Sequence, residues 1–365
     1  MDQVCTEIQN APKTAAIMGG KFERFVDSIY LGGGTPTVLE SAQLHRIFAA
    51  VRNNFDVEEG AEITVECAPG TLPDDQLEGL LRCGVNRVSL GVQSFVDQEA
   101  AAVGRLHKRE TVLADIDRLR SSGISNLNID LIAGLPHQTA ESWAYSIEET
   151  IATNVPHVSV YMLEVDEDSR LGREVLAGGT RYHAHFVPDE EAMADFYLAA
   201  CAALSSAKIG QYEISNFARA GFESRHNLKY WRRQPYFGFG VDAHSMLLSL
   251  APDLDAVRFA PSDSLESYMK GADLQRTSVS REAALEESFF LGLRLTQGLD
   301  TQALASEFGG ENIRMADAIV RELIDDQLME RHGDFVCLTS RGRLISNEVF
   351  ERFLRVEQNS AVFGR

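Results

Sequence analysis

Residues 30–36 read YLGGGTP, three consecutive glycines at the end of the apolar run VDSIYL. Glycine loses more backbone entropy on folding than any other residue, so three together mark a chain held where no side chain fits. A glycine loop opening onto a helix offers backbone N–H groups to an anion or another polar ligand. This loop is not G-x-G-x-x-G, and no Gly-Lys-Ser or Gly-Lys-Thr follows it, so neither a dinucleotide fingerprint nor a phosphate loop is present. Polar residues close three further apolar runs: Glu66 in VECAPG, Gln93 in SLGVQSF and Asp130 in NIDLIAGLP. Glu66 would receive a ligand ammonium; Gln93 and Asp130 would bind hydroxyls, as acids at strand ends do for ribose. Arg105, in VGRLHKR, would clamp a carboxylate through two N–H donors. Together these groups suit a ligand with an amino acid at one end and a ribose at the other. The plainer alternatives are turn punctuation for the glycines and a solvated position for Arg105.

The elements that must position these groups are legible as an alternation. The strand candidates VDSIYLG, EITVEC, NRVSLGV, NLNIDLIAG and HVSVYMLEV are separated by amphipathic stretches such as SAQLHRIFAAVRNNF, PDDQLEGLLRCG, ETVLADIDRLRSSG and TAESWAYSIEETIATN. Short strands alternating with helices of this length predict βαβ units and a parallel sheet, an α/β fold. The strands read as near-continuous apolar runs, which predicts helices over one face and a packed interior on the other. The polar and glycine signals fall at the C-terminal strand ends, the ligand-binding face of a barrel of this kind.

The 365-residue chain carries a net charge of −20, which disfavours nucleic-acid backbones as partners. It has no apolar run long enough to span a bilayer, and MDQVCTEIQN lacks the pattern of a signal peptide, so a cytoplasmic location is expected. Cys5, Cys67, Cys83, Cys201 and Cys337 lie far apart, as expected of buried thiols outside disulfides.

Beyond Asp166 the pattern changes. LGREVLAGG reads as a short helix, DEEAMADFYLAACAALSSAKI as a long one and QYEISNFA as a strand; the aromatic, basic stretch SRHNLKYWRRQPYFGFGVDAHS follows. The segment up to about Arg276 reads as irregular. EAALEESFFLGLRLTQGLD, DTQALASEFG and IRMADAIVRELIDDQLMER read as helices, and DFVCLTSRG as a hairpin-like wing, together a winged-helix-like module. Its acidity points to packing or partner recognition instead of DNA reading.

The order GGGTP, VECAPG, RVSLGVQSF, GRLHKR and NIDLIAGLPHQT closely resembles the radical S-adenosylmethionine (SAM) proteins of the coproporphyrinogen dehydrogenase (HemN) and HemW group, over essentially the whole chain. The resemblance implies a partial (β/α) barrel, with a core over residues 1–165, its completion and the HNxxYW region over 166–276, and a HemN-type C-terminal module over 277–365. It implies that Gly32, Gly33, Gly34 and Thr35 meet the SAM methionine, that Glu66 and Arg105 hold its amino and carboxylate groups, and that Gln93 and Asp130 hold the ribose. HNLKYW at 226–231 resembles the HNxxYW motif associated with heme binding in the chaperone branch. His226, Tyr230 and Trp231 are then heme candidates, His226 as a possible iron ligand, with Lys229, Arg232 and Arg233 available to the propionates. A hydrogen-bonded histidine under an aromatic cluster is the alternative, and His244 in GVDAHS is similarly ambiguous. The implied function is that of a heme chaperone delivering to an acceptor protein; the rival within the group is oxidative decarboxylation of coproporphyrinogen III.

One departure stands out. The group's C-x-x-x-C-x-x-C loop, which binds a [4Fe-4S] cluster, does not occur. It would precede Met1, as would the first barrel strand. The expectation is therefore a chain without cluster ligands, beginning inside the first helix and unable to cleave SAM reductively.

Overall fold

The computed structural model describes residues 1–34, 36–164, 173, 177, 185–271 and 273–354. Thr35 and nearly all of LGREVLAGG lie outside these residues. The chain divides into two compact units, residues 1–9 with 23–226, and residues 10–22 with 227–365.

The first unit is built on a seven-stranded sheet of β1 (Phe25–Leu31), β2 (Asp56–Cys67), β3 (Arg87–Gln93), β4 (Asn126–Ala133), β5 (His157–Met162), β6 (Gly210–Gln211) and β7 (Asn216–Ala218). The spatial order is β1-β2-β3-β4-β5-β7-β6. β1 to β5 are parallel neighbours, and β7 and β6 close the far end antiparallel. The parallel α/β sheet is the one the alternation implies, and its curl into a half-barrel is what the family resemblance implies. Helices start and stop where the sequence signals them. Pro73 precedes Asp74–Cys83 and Gly84 ends it in the left-handed region, at φ 89°. Thr139 caps Ala140–Ala152 by accepting from the Ser142 amide.

The strands are not apolar on both faces. Ile63, Val65, Val88, Leu90, Leu127, Ile129, Val158 and Val160 form one buried row. The residues between them, from Glu62, Thr64 and Glu66 through Arg87, Ser89, Asn128 and Asp130 to His157 and Ser159, are polar and share the opposite face. QYEISNFA is likewise two short strands, β6 and β7, because the Glu213–Ser215 turn interrupts it.

In the second unit, the segment read as irregular is an antiparallel sheet of β8 (Ser245–Leu248), β9 (Leu254–Ala260) and β10 (Gln275–Ser280), in the order β10-β9-β8. Its apolar face, Leu247, Val257 and Phe259, packs with Ala15 and Met18. β10 escaped notice because only Val279 among its six residues is buried, leaving no alternation to read. Helices Arg281–Gly292, Thr301–Phe308 and Gly310–Asp325 follow, with a sheet of β11 (Leu299–Asp300), β12 (Met329–His332) and β13 (Phe335–Leu338) in the order β11-β13-β12. The first of these helices stops at Gly292, where any Cβ would clash with the Leu299 side chain. The tail of EAALEESFFLGLRLTQGLD is therefore turn and strand.

Candidate functional site in the half-barrel

Strand alternation places a continuous hydrogen-bonded layer of polar side chains on one face of β1–β7. The Asn128 amide donates to Ser89 Oγ (2.7 Å), Asp130 Oδ1 (2.7 Å) and Ser159 Oγ (3.0 Å). His157 bridges Asn128 Oδ1 at 2.6 Å and the Tyr212 hydroxyl at 2.9 Å. Burial, reinforced by the nearby Arg87 charge, holds the His157 imidazole well below its ordinary pKa and therefore neutral. Arg87 is 2 % exposed, and its Nε has no hydrogen-bond partner among the described residues.

The glycine loop meets this layer at its C-terminal edge. Gly33 N donates to Glu66 Oε2 at 3.2 Å, and the Tyr30 hydroxyl donates to Glu66 Oε1 at 2.8 Å. A Cβ on Gly32 would lie 2.7 Å from the Tyr30 ring and 2.8 Å from Glu66 Oε1, so this glycine is required by close approach. Gly33 and Gly34 have φ of +83° and +120°, and a Cβ on either would meet only open space. Burial and the Glu66 charge push the Tyr30 phenol far above its usual range, so it stays a donor.

Gln93 and Arg105 both reach over Gly91. A Cβ there would lie 3.1 Å from Gln93 Nε2 and 3.7 Å from an Arg105 guanidinium nitrogen. Gln93 sits at φ 68°, beside a register shift between β3 and β4 that turns its side chain away from the regular pleat. His107 fastens the Arg105 loop through a 3.1 Å hydrogen bond to the Val92 carbonyl. Asp130 lies inside β4 instead of at its end, since pairing with β5 continues through Ala133. It accepts from Ser89 Oγ at 3.0 Å; burial pushes its carboxyl pKa up, against the hydroxyls and amide that favour the ionised form. The structure thus places Gly32–Gly34, Glu66 and Gln93 at neighbouring strand ends, with Arg105 on a following loop and Asp130 within β4.

His226 is held to the same face. Its Nδ1 lies 3.2 Å from Ser28 Oγ, and its ring stacks on Tyr30 with centroids 5.0 Å apart and 21° between planes. The helix Arg225–Trp231 that carries it begins on the buried Glu62 carboxylate, which accepts from Ser224 Oγ (3.2 Å), Arg225 N (3.0 Å) and His226 N (3.0 Å). Arg225 adds bonds to Glu58 (2.7 Å) and the Gly60 carbonyl (3.2 Å).

Tyr230 and Trp231 belong to the second unit. Tyr230 packs edge-on against Tyr236 at 4.7 Å, and the Arg294 guanidinium lies 4.3 Å above the Trp231 ring, whose buried Nε1 has no hydrogen-bond partner among the described residues. Arg233 is corrected as a propionate ligand. Its side chain is 8 % exposed and spends its charge on Asp255 (2.6 Å) and Glu287 (2.7 Å). His244 is 68 % exposed, with Asp242 3.6 Å away.

Sequence reasoning missed Tyr30, Ser28, Glu62, Asn128 and His157. Their signal was the polar residue at every second position of each strand.

The donor set fits SAM: a carboxylate for its ammonium, a guanidinium for its carboxylate, an amide and a carboxylate for hydroxyls, and a bare glycine loop beside them. It does not fit a [4Fe-4S] cluster. All five cysteines are described, none is in a disulfide, and no three sulfurs converge.

Comparison with known proteins follows the geometry. The Radical SAM superfamily profile matches residues 11–149, and the HemN C-terminal domain profile matches 279–345. The heme chaperone HemW of Lactococcus lactis is 33 % identical over 331 residues, 90 % of this chain and 84 % of that protein. That of Bacillus subtilis is 34 % identical over 334 residues, 90 % and 85 % respectively. The solved structure of Escherichia coli coproporphyrinogen III oxidase (HemN), a radical SAM enzyme, shares the fold with a TM-score of 0.79 at 24 % identity, covering 96 % of this chain and 82 % of that one. This chain belongs to the HemW family within the radical SAM superfamily.

Proposed function

We propose that the chain is a heme chaperone: it binds heme as cargo, with His226 as the iron ligand, and passes it to an acceptor protein. The observation that carries this reading is the anchoring of His226, the histidine of HNLKYW, between Ser28 and Tyr30. Imidazole is a standard iron ligand, and a second ring face against it fixes its orientation. The similarity to proteins named heme chaperones over nine-tenths of the chain supports the same reading.

SAM is the small-molecule ligand proposed for the strand ends. Glu66 holds the ammonium, Arg105 the carboxylate, and Gln93 and Asp130 the ribose hydroxyls, with Gly32, Gly33 and Gly34 against the methionine. Thr35, outside the described residues, belongs to the same proposed set. Bound there, SAM would bring a sulfonium flanked by methionine and adenosyl groups. The work of this chain's own residues is to orient the two ends and to keep Tyr30 protonated as a donor to Glu66. No step through an iron–sulfur cluster is assigned to these residues.

The test is to load the protein with one equivalent of hemin, isolate it, and mix it with apomyoglobin as a surrogate acceptor. Stoichiometric loading followed by transfer is expected, with no consumption of coproporphyrinogen III. Absence of hemin binding, or porphyrinogen turnover, would overturn the chaperone reading.

A further inference from the structure

The wing of the C-terminal module carries three side chains of different donor type at one place. β12 and β13 form a hairpin closed by the two-residue turn Gly333–Asp334, with Glu330 opposite Cys337 and His332 opposite Phe335. Directly opposed residues put their side chains on the same face, as do residues two apart on one strand. Glu330, His332 and Cys337 therefore share one face of the hairpin, Glu330 and His332 exposed and Cys337 buried. The opposite face carries Met329, Val336 and Leu338, all buried.

The distances are those of a coordination shell. Glu330 Oε1 lies 3.7 Å from Cys337 Sγ and 3.4 Å from His332 Nε2, and one ligand atom from each of the three falls within 4.8 Å of the others. A tetrahedral zinc centre with Zn–S of about 2.3 Å and Zn–N or Zn–O of about 2.0 Å has edges of roughly 3.3–3.5 Å. Closing the triangle needs only rotation of the exposed His332 and Glu330 side chains, because the paired strands fix the backbone. Gly298 packs against Cys337, where a Cβ would come within 2.6 Å of the Cys337 Cβ.

We propose that Glu330, His332 and Cys337 form a three-ligand site for a borderline-soft divalent metal ion, Zn2+ in the cell, with the fourth position open to water or to a ligand from another molecule. The donor set selects the ion. Thiolate and imidazole favour zinc over magnesium and calcium, which take oxygen ligands, while thiolate and carboxylate together balance the charge of a divalent ion. Binding replaces the thiol proton, which leaves to solvent. The acid form is otherwise favoured, since burial and the Glu330 charge push the Cys337 pKa up. Arg343, which donates to the Leu338 carbonyl at 2.8 Å, is the cation that opposes this shift. The site is independent of the heme and SAM readings.

Cobalt(II) is the probe, because a bound thiolate gives a sulfur-to-cobalt charge-transfer band and tetrahedral geometry gives intense visible bands. The metal-stripped full chain is titrated with Co2+ and then back-titrated with Zn2+. One equivalent showing both features, displaced by Zn2+, is expected. Cys337→Ser should lose the charge-transfer band. His332→Ala, at an exposed position that leaves the fold intact, should weaken Co2+ binding at least tenfold. Cys83→Ser should change nothing, although Cys83 also faces a histidine, His45, at 3.7 Å. No charge-transfer band in the native chain, or an undiminished one in His332→Ala, would overturn the proposal.

Discussion

Tyr30 lies ring on ring with His226, centroids 5.0 Å apart, while its hydroxyl donates to Glu66 at 2.8 Å. One side chain on β1 thus touches both the histidine proposed for heme and the carboxylate proposed for the SAM ammonium. Two proposed functions that look separate in sequence, their residues 160 positions apart, share a single aromatic ring.

The first expectation tests the two contacts of that ring separately. Tyr30→Phe keeps the stack on His226 and removes the hydrogen bond to Glu66. A hydrogen bond to a charged group is worth about 1.5–3 kcal/mol, so SAM binding should weaken roughly tenfold or more while hemin binding is unchanged. Calorimetric titration with SAM and hemin reads both.

Gly32 leaves no room for a methyl group beside Tyr30 and Glu66. Gly32→Ala should lower SAM affinity at least tenfold and cost about 1–3 kcal/mol of stability, the usual penalty of overpacking. Urea unfolding separates the two effects. Unchanged SAM binding in a folded variant would contradict the placement of the loop.

Glu62 caps the start of the helix that presents His226 and is 6 % exposed. Glu62→Ala leaves three donors without their acceptor and should destabilise the protein by about 2–4 kcal/mol. Glu62→Gln, which keeps one acceptor oxygen, should cost less. The measurement is the shift in urea midpoint at constant slope.

His157 sets an acid sensitivity. Its pKa in the fold lies well below the ordinary 6.5, so the unfolded chain takes up a proton that the folded one refuses. Stability from this group is full above pH 6.5 and falls as the pH drops below it. His157→Gln should flatten that part of the pH–stability curve, measured by urea midpoints between about pH 5 and 7.5.

These residues also show how far the sequence could be read. The βαβ alternation and the edge residues Glu66, Gln93 and Arg105 were legible because glycine, proline and isolated polar groups punctuate apolar runs. The polar face was not, because single polar residues such as Ser89 and Asn128 look like noise within a strand until the pleat places them in one row. Gln93 depends on a register shift, and Arg233 on ion pairs with Asp255 and Glu287 far away in sequence. Such long-range partners leave no local trace. The antiparallel β8–β10 sheet was missed for a related reason: its outer strand is almost entirely polar and exposed.

The most direct measurement is a Soret-band titration of hemin into the native chain, His226→Ala and His244→Ala. His244 is exposed and serves as the control histidine. The account predicts one heme per chain with a nitrogen-ligated spectrum in the native protein and in His244→Ala, and loss of that spectrum with at least tenfold weaker binding in His226→Ala. A folded His226→Ala that binds hemin with native affinity and an unchanged spectrum would contradict it.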